Sequence, residues 1–335
     1  MKTLSHLTPL DLASFQNPGA RSRIAPFWFW NGAMDEELVE RQIEQMARAG
    51  VGGFFLHPRQ GLALPYLSKA YFERVKIAVE AAQKWGMEAW PYDEYPYPSG
   101  IAGGILTANF PEFRARTLKW ESVDVAGEAK VRHEFPLGRL VCALACPLEN
   151  GRVLWDEAVD IRAEIGVVLT RELFWLWPMA HIPYNEKRFM ADEGRLVLEW
   201  TPPLGKAGNW RIFAAIEGEQ RGFKYYDCFV DPLRPGAVEE FIRLTHEGYA
   251  QSVGEHFGTT IPGIFSDEIE PPDWSPEIER ELGKSGLDLS QIAPALRFDD
   301  HPRASQVRFA WRECALKLFQ ERWEKPVADW CAAHN

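Results

Sequence analysis

The chain has 335 residues, room for about two domains at roughly 150 residues each. Hydrophobic residues make up 46% and charged residues 25%, which excludes disorder, collagen and coiled coil as whole-chain descriptions. Lys and Arg total 37 against 48 Asp and Glu, a formal net charge of −11, so the chain lacks the cationic footprint that holds a protein on nucleic acid or an anionic membrane.

Met1 to Gln16 carries one Lys and no apolar core segment, so no signal peptide is expected. No stretch approaches the roughly 20 apolar residues that span a bilayer, and a cytoplasmic location is the expectation. Ile24 to Trp30 is a continuous apolar run, the pattern of a strand covered on both faces. Asp35 then stands as an N-cap before Leu38, Val39, Ile43, Met46 and Ala47 at helical spacing, with Gly50 placed to end the helix. Val51 to Leu56 predicts a second strand. Ser68 caps a second helix with the stripe Phe72, Val75, Val79 and Ala82, closed by Gly86, and Met87 to Tyr92 predicts a third strand. Two βα units feeding a third strand predict a parallel sheet.

From about Arg116 to Lys224 the pattern changes to short alternating runs: Leu140 to Leu148, Arg152 to Trp155, Gly166 to Thr170, Leu173 to Trp177, Arg195 to Trp200 and Trp210 to Ile216. Asn150-Gly151 between two of them is a two-residue hairpin signal. This segment predicts an inserted antiparallel, sandwich-like β domain. Of five cysteines, Cys142 and Cys146 fall within one such strand and read as core residues, because no second Cys or His pair stands at zinc-ligand spacing. The βα pattern then resumes: a strand at Tyr225 to Val230, a helix opened by Pro235, a strand at Ile261 to Ser266, and a helix from Val307 to Trp323 that Pro326 ends or kinks.

The expected architecture is an α/β (β/α)₈ TIM-type barrel of about five βα units, short of the eight that closure needs. Residues 1–115 form its first part, 116–224 the inserted β-rich domain, and 225–335 a second part truncated before closure. An open sheet is the other possibility. It is less expected, because no terminal strand or charged cap protects the last sheet edge.

Each expected α/β strand runs into polar residues: Asn31, His57-Pro58-Arg59, Asp93-Glu94, Asp231 and Asp267-Glu268. In parallel α/β folds the ligand lies at the carboxyl ends of the strands, so these residues should share one mouth. Each by itself reads equally as a helix cap or a solvated loop residue. Carboxyls brought together in an aromatic mouth have pKa values pushed apart, which supplies an acid and a base. Trp28, Trp30, Trp90, Tyr92, Tyr95 and Tyr97 stand beside these ends as stacking walls, with alternate members expected in the core. Gly50-Val51-Gly52-Gly53 is not a dinucleotide fingerprint, since it lies between a helix and a following strand. The small-residue loop Pro98 to Gly104 either presents its amides to a ligand or simply connects.

Pro26-Phe-Trp-Phe-Trp-Asn-Gly32, Gly50-Val-Gly-Gly-Phe-Phe-Leu-His-Pro-Arg59, Tyr66-Leu-Ser68, Trp90-Pro-Tyr-Asp-Glu94 with Pro98-Ser-Gly100, and Gly263-Ile-Phe-Ser-Asp-Glu268 occur in that order. Together they resemble the bacterial α-L-rhamnosidase-like glycosyl hydrolases of glycoside hydrolase family 106, from about residue 20 to the end. The resemblance implies a catalytic barrel with β-sandwich domains and inverting hydrolysis of glycans, in proteins typically much longer than this chain. It makes Glu268 the general acid, with Asp267 and Glu94 the further catalytic candidates and Glu270 a competing carboxyl. Trp30, Asn31, His57, Arg59, Tyr92, Asp93 and Asp231 are the candidates for holding the sugar. An inverting enzyme needs a second carboxylate about 6.5–9.5 Å from the first. That base is expected beyond residue 335, or from Glu94 or Asp93. No cofactor is read from the residues; calcium is implied by the resemblance alone. The expected partner is a carbohydrate substrate, with no nucleic acid and no membrane. Two other readings stay open: a non-catalytic carbohydrate-binding protein, and a metal-assisted hydrolase.

Overall fold

The computed structural model describes residues 12–127, 129–169, 194–203, 208–224 and 227–334. The fold is mixed α/β and divides into two compact units. The first comprises Met1–Phe113, Pro232–Pro271 and Phe319–Asn335, and the second Arg114–Asp231 and Pro272–Leu318.

The first unit is built on a parallel sheet of β1 (Phe27–Trp30), β2 (Gly53–Pro58) and β3 (Glu88–Pro91). Phe27 pairs with Phe55, Phe29 with His57, and Phe55 with Trp90. Helices α1 (Glu36–Arg48) and α2 (Lys69–Lys84) connect the strands. The Ser68 hydroxyl accepts from the Tyr71 amide at 3.2 Å, the expected N-cap bond of α2. Asp35 precedes α1 but makes no side-chain cap bond. The glycines at residues 52 and 53 have a steric reason. A Cβ at Gly53 would lie 2.7 Å from the Glu88 carbonyl oxygen, and one at Gly52 would run into the Ala20 carbonyl. The short helix pair α3 (Ala237–Leu244) and α4 (His246–Val253) follows Pro235.

Period 2 divides the aromatic strand residues between two faces. Trp30, Phe54, Leu56 and Ala89 are fully buried with Val39, Ile43, Tyr71, Val75 and Val79 of the helices. The Trp28 indole donates to Gln42 of α1 at 3.0 Å. The opposite face carries Phe27, Phe29, Phe55, His57, Trp90 and Tyr92, and there Phe27 and Phe29 are 47% and 45% exposed.

Two expected strands are corrected. Thr260 to Phe265 does run beside β3 in parallel: Ala89 N donates to Thr260 O, Phe265 N to Pro91 O, and Asp93 N to Phe265 O. It is an irregular edge rather than a regular strand, because Pro262 has no N–H to place in a ladder. Asp227 to Val230 does not join the parallel sheet. Ala115 N donates to Phe229 O at 2.7 Å, and Arg114 bridges Val230 antiparallel, so this segment closes the second unit; Tyr225 lies outside the described residues. The described residues therefore hold three regular parallel strands and one irregular one, not five, and no closed barrel.

The second unit contains two antiparallel sheets. Strands β4 (Arg116–Ala126), β6 (Arg139–Glu149), β7 (Arg152–Val153) and β11 (Asn209–Glu219) pair in the order β4-β11-β6-β7, with β8 (Val159–Asp160) also on β6. Strands β5 (Val131–Pro136), β9 (Ile165–Leu169) and β10 (Gly194–Trp200) pair in the order β5-β10-β9. One hydrophobic cluster draws Phe135, Leu196, Leu198 and Trp200 from the smaller sheet, and Ala143, Ala145, Trp210, Ile212 and Ile216 from the larger. Asn150 and Gly151 join β6 to β7 with φ of +50° and +80°, the left-handed pair that a type I′ turn requires. Cys142 and Cys146 are buried core thiols, and burial pushes Cys146 up to about 12. The expected strand Leu173 to Trp177 lies outside the described residues.

Residues 272–318 group with these sheets, although the sequence assigned them to the barrel. The reason is aromatic packing on the other face of the larger sheet. Phe298 lies 4.7 Å from Phe213 and 5.8 Å from Trp155, which itself stacks on Phe213 at 5.0 Å. Helices α5 (Pro276–Lys284) and α6 (Ala304–Phe319) belong to this unit apart from the last residue of α6. The helix does not end before Pro326. A π turn at Gln320–Glu324 leads into the helix Lys325–Ala333. Pro326 sits in the first turn of that helix, where its missing N–H costs little.

Candidate functional site

Aromatic rings cover the open face of the parallel sheet. Phe27 lies 5.4 Å from Phe55 and 5.3 Å from Phe265. The His57 ring sits 5.0 Å from Phe27, 5.4 Å from Phe29 and 4.1 Å from Tyr92. Arg59 places its guanidinium 4.9 Å above Phe29 and 5.3 Å from the ring of Tyr97, a cation–π arrangement. Burial, and then the Arg59 charge, push His57 down to about 4. The imidazole is therefore neutral at neutral pH, a hydrogen-bonding group rather than an acid. Its Nδ1 is buried and has no hydrogen-bond partner among the described residues, and the Tyr92 hydroxyl, also buried, interacts with the Ser99 side chain.

The strand-end carboxyls divide by environment. Glu94 is fully buried, and its Oε2 accepts from the amides of Gly100, Ile101 and Ala102 at 2.7–2.9 Å. Its Oε1 accepts from Tyr95 at 2.7 Å and Gly103 at 2.5 Å. This settles the loop Pro98 to Gly104: its amides face Glu94 from inside rather than a ligand. Burial pushes the Glu94 carboxyl up to about 8, against the pull of these amides. With both oxygens occupied, Glu94 anchors the loop. Asp93 is 1% exposed. Burial, with a smaller push from Asp267, moves it up to about 7, while the Ser99 and Ser266 hydroxyls oppose the shift. The Ser99 hydroxyl donates to Asp93 Oδ1 at 2.5 Å and accepts from the Asp267 amide at 2.8 Å, and Ser99 N donates to Asp267 O at 2.9 Å. Ser99 thus fastens the end of β3 to the end of the irregular strand.

Asp267 is half-buried and Glu268 exposed. Glu268 has φ +52°, a left-handed backbone uncommon for a residue with a side chain. An outlier of this kind at a strand end marks a place where geometry is imposed by the surroundings.

The structure brings His57, Arg59, Tyr92, Asp93, Asp267 and Glu268 to one end of the parallel sheet. It does not place Trp30 on the open face. Trp30 is 0% exposed on the helix side, edge-on to Tyr71 at 6.0 Å. Asn31 is exposed next to it. Asp231 falls in the second unit, fully buried, and accepts from Ser275 at 2.7 Å, so it serves there as a structural acceptor. Phe27, Phe29 and Ser99 were not among the sequence candidates, whereas Tyr97 was expected as a stacking wall and meets Arg59. In a run where every residue of β1 is aromatic, nothing local shows which alternate pair faces outward.

The calcium implied by the resemblance finds no side-chain set. Among the described residues no group of three or more His, Cys, Asp or Glu is arranged to hold a metal ion. The Glu94 oxygens are taken by amides, and Asp93 by serine hydroxyls. No helix of the described residues is long and apolar enough to cross a membrane.

No protein-family model matches the sequence, and no curated protein does. Among solved structures, the fold is similar to that of a rhamnosidase from Novosphingobium sp. PP1Y, at a TM-score of 0.56 and 14% identity. The likeness covers 96% of this chain and 46% of that one, so the chain spans a little under half the length of the rhamnosidase. At this identity the likeness is one of fold.

Proposed function

We propose that the chain forms part of a glycoside hydrolase of the α-L-rhamnosidase type, acting by inversion, with Glu268 as the general acid. One observation carries this reading: the parallel pairing of Tyr92 with Phe265. It sets the Asp267-Glu268 pair at the same sheet end as Arg59 and the exposed aromatic side chains of β1. The open aromatic face offers the exposed Phe27 and Phe29 to the apolar face of a sugar ring, and Arg59 beside Phe29 offers hydrogen bonds to its hydroxyls. Glu268, exposed and held in an imposed backbone conformation, is the carboxyl assigned to the glycosidic oxygen. Glu94 and Asp93 act by shaping the end of β3. The second carboxylate that inversion requires is not assigned among the described residues.

The test is hydrolysis of aryl α-L-rhamnosides, with the anomer of the released sugar read by NMR. Glu268→Gln should slow release of a poor leaving group by about 10²–10⁴-fold, the range for loss of a general acid. It should slow an activated nitrophenyl leaving group far less, because that group leaves without a proton. Equal losses on both would remove Glu268 from the acid role. Sugar binding with no turnover would identify a binding protein on this scaffold.

A further inference from the structure

The second unit holds a cavity of about 530 Å³ that the sheet-end site does not use. Its volume falls within the roughly 300–1,000 Å³ of small-molecule sites. On one face of α6, Arg308, Trp311 and Arg312 stand at the three- and four-residue spacing that brings side chains together. Arg297, Asp273, Asp299 and Trp120 of β4 also line it.

The wall is held rigidly. Trp311 stacks on Trp274 at 5.2 Å with ring planes 12° apart, and the Trp274 indole donates to Glu217 at 2.9 Å. Arg139 in turn donates to Glu217 at 2.6 Å. Arg308 is already engaged, donating to Asp299 at 2.5 Å and to the carbonyls of Ala295 and Leu296 at 3.1 Å. Arg297 and Arg312 differ: both are exposed and line the cavity, and neither makes an ion pair or hydrogen bond among the described residues. In a chain of net charge −11, two cations without acidic partners on one concavity form a local exception to the field of the whole molecule. Planar guanidinium forks match a carboxylate in a way that a diffuse basic patch does not. Asp273, also without a partner among the described residues, is acceptor-only when ionised and suits sugar hydroxyls. The half-buried Trp120 supplies an apolar face for a ring.

We propose that this cavity binds a uronic acid residue of a glycan, the carboxylate on Arg297 and Arg312, the ring against Trp120, and the hydroxyls on Asp273. The sugar class rests on the carbohydrate reading above; the anion preference rests on the arginines.

Calorimetric titration of the protein with trigalacturonate and with a neutral galactose trisaccharide tests it. The acidic chain should bind at least tenfold more tightly than the neutral one, and its affinity should fall as salt rises. Arg297→Ala with Arg312→Ala should weaken the acidic chain at least tenfold and leave the thermal melt in place, since both side chains are exposed. Asp273→Asn should weaken binding without abolishing the acid preference. Equal binding of the two trisaccharides, or an arginine variant that binds the acid normally, overturns the proposal, as does no binding of the acid. Glu268→Gln lies in the other unit and should leave trigalacturonate binding unchanged. Retained acid binding in a protein that hydrolyses no glycoside would support this cavity and sink the catalytic reading alone.

Discussion

Ser99 and Asp93 are joined by a 2.5 Å hydrogen bond from hydroxyl to carboxylate, and the same hydroxyl accepts from the Asp267 amide. One buried side chain thereby couples two strand ends that are far apart in sequence. Ser99→Ala removes the donor and leaves a buried carboxyl and an amide short of partners. Loss of about 1–3 kcal/mol of stability is expected, the cost of an unsatisfied buried group. Urea unfolding should show the shift. Under the proposed function, hydrolysis should fall with it, because the segment before Glu268 loses its anchor. Unchanged stability would show that the Ser99 bond is replaceable by water.

The loop from Gly100 to Gly103 should depend on an acceptor at residue 94. Glu94→Gln puts an amide NH₂ where the chain presents three N–H groups to Oε2, so donors face donors. Glu94→Gln is expected to destabilise by about 3 kcal/mol or more and to open Tyr95 to Gly104 to protease. A Glu94→Gln protein that resists cleavage as well as the native chain would contradict the anchoring role.

Asp93 and His57 set opposite pH dependences. The folded value of Asp93, about 7, lies above its ordinary 3.8, so the folded chain holds this proton more tightly than the unfolded one. That stabilising contribution is complete below about pH 4 and is lost as the pH rises through about 7. His57, moved from 6.5 to about 4, contributes fully above pH 6.5, and its contribution is lost as the pH falls toward 4. Asp93→Asn should therefore shrink the drop in melting temperature between pH 5 and pH 8. An unchanged drop would place the titration elsewhere.

Trp30 and Phe29 are one residue apart and should respond in opposite ways. Trp30→Ala empties a fully buried site and should cost about 3–5 kcal/mol. Phe29→Ser, at a side chain 45% exposed, should change stability by only a few tenths of a kcal/mol. Under the proposed function it should raise KM for the glycoside, since it removes part of the stacking face. A Phe29→Ser protein with native KM would take the open aromatic face out of substrate binding.

What the sequence determined by itself lies within a few residues of chain. The Ser68 cap needs only the amide of Tyr71, the Asn150-Gly151 turn needs only two left-handed residues, and the first three strands follow from local apolar runs. Tertiary structure decided what depends on distant partners. Pro262 and the pairing of Phe229 with Ala115 turned two expected parallel strands into an irregular edge and an antiparallel closure. Phe298, packing on Phe213, drew the segment after residue 272 to the β sheets. The strand-end carboxyls show the division most clearly. Asp93, Glu94, Asp267 and Glu268 are chemically alike in the sequence, yet Glu94 is buried among five amides and Glu268 is exposed. A carboxyl's role follows from desolvation and hydrogen bonding, and both are set by residues that only folding brings near it.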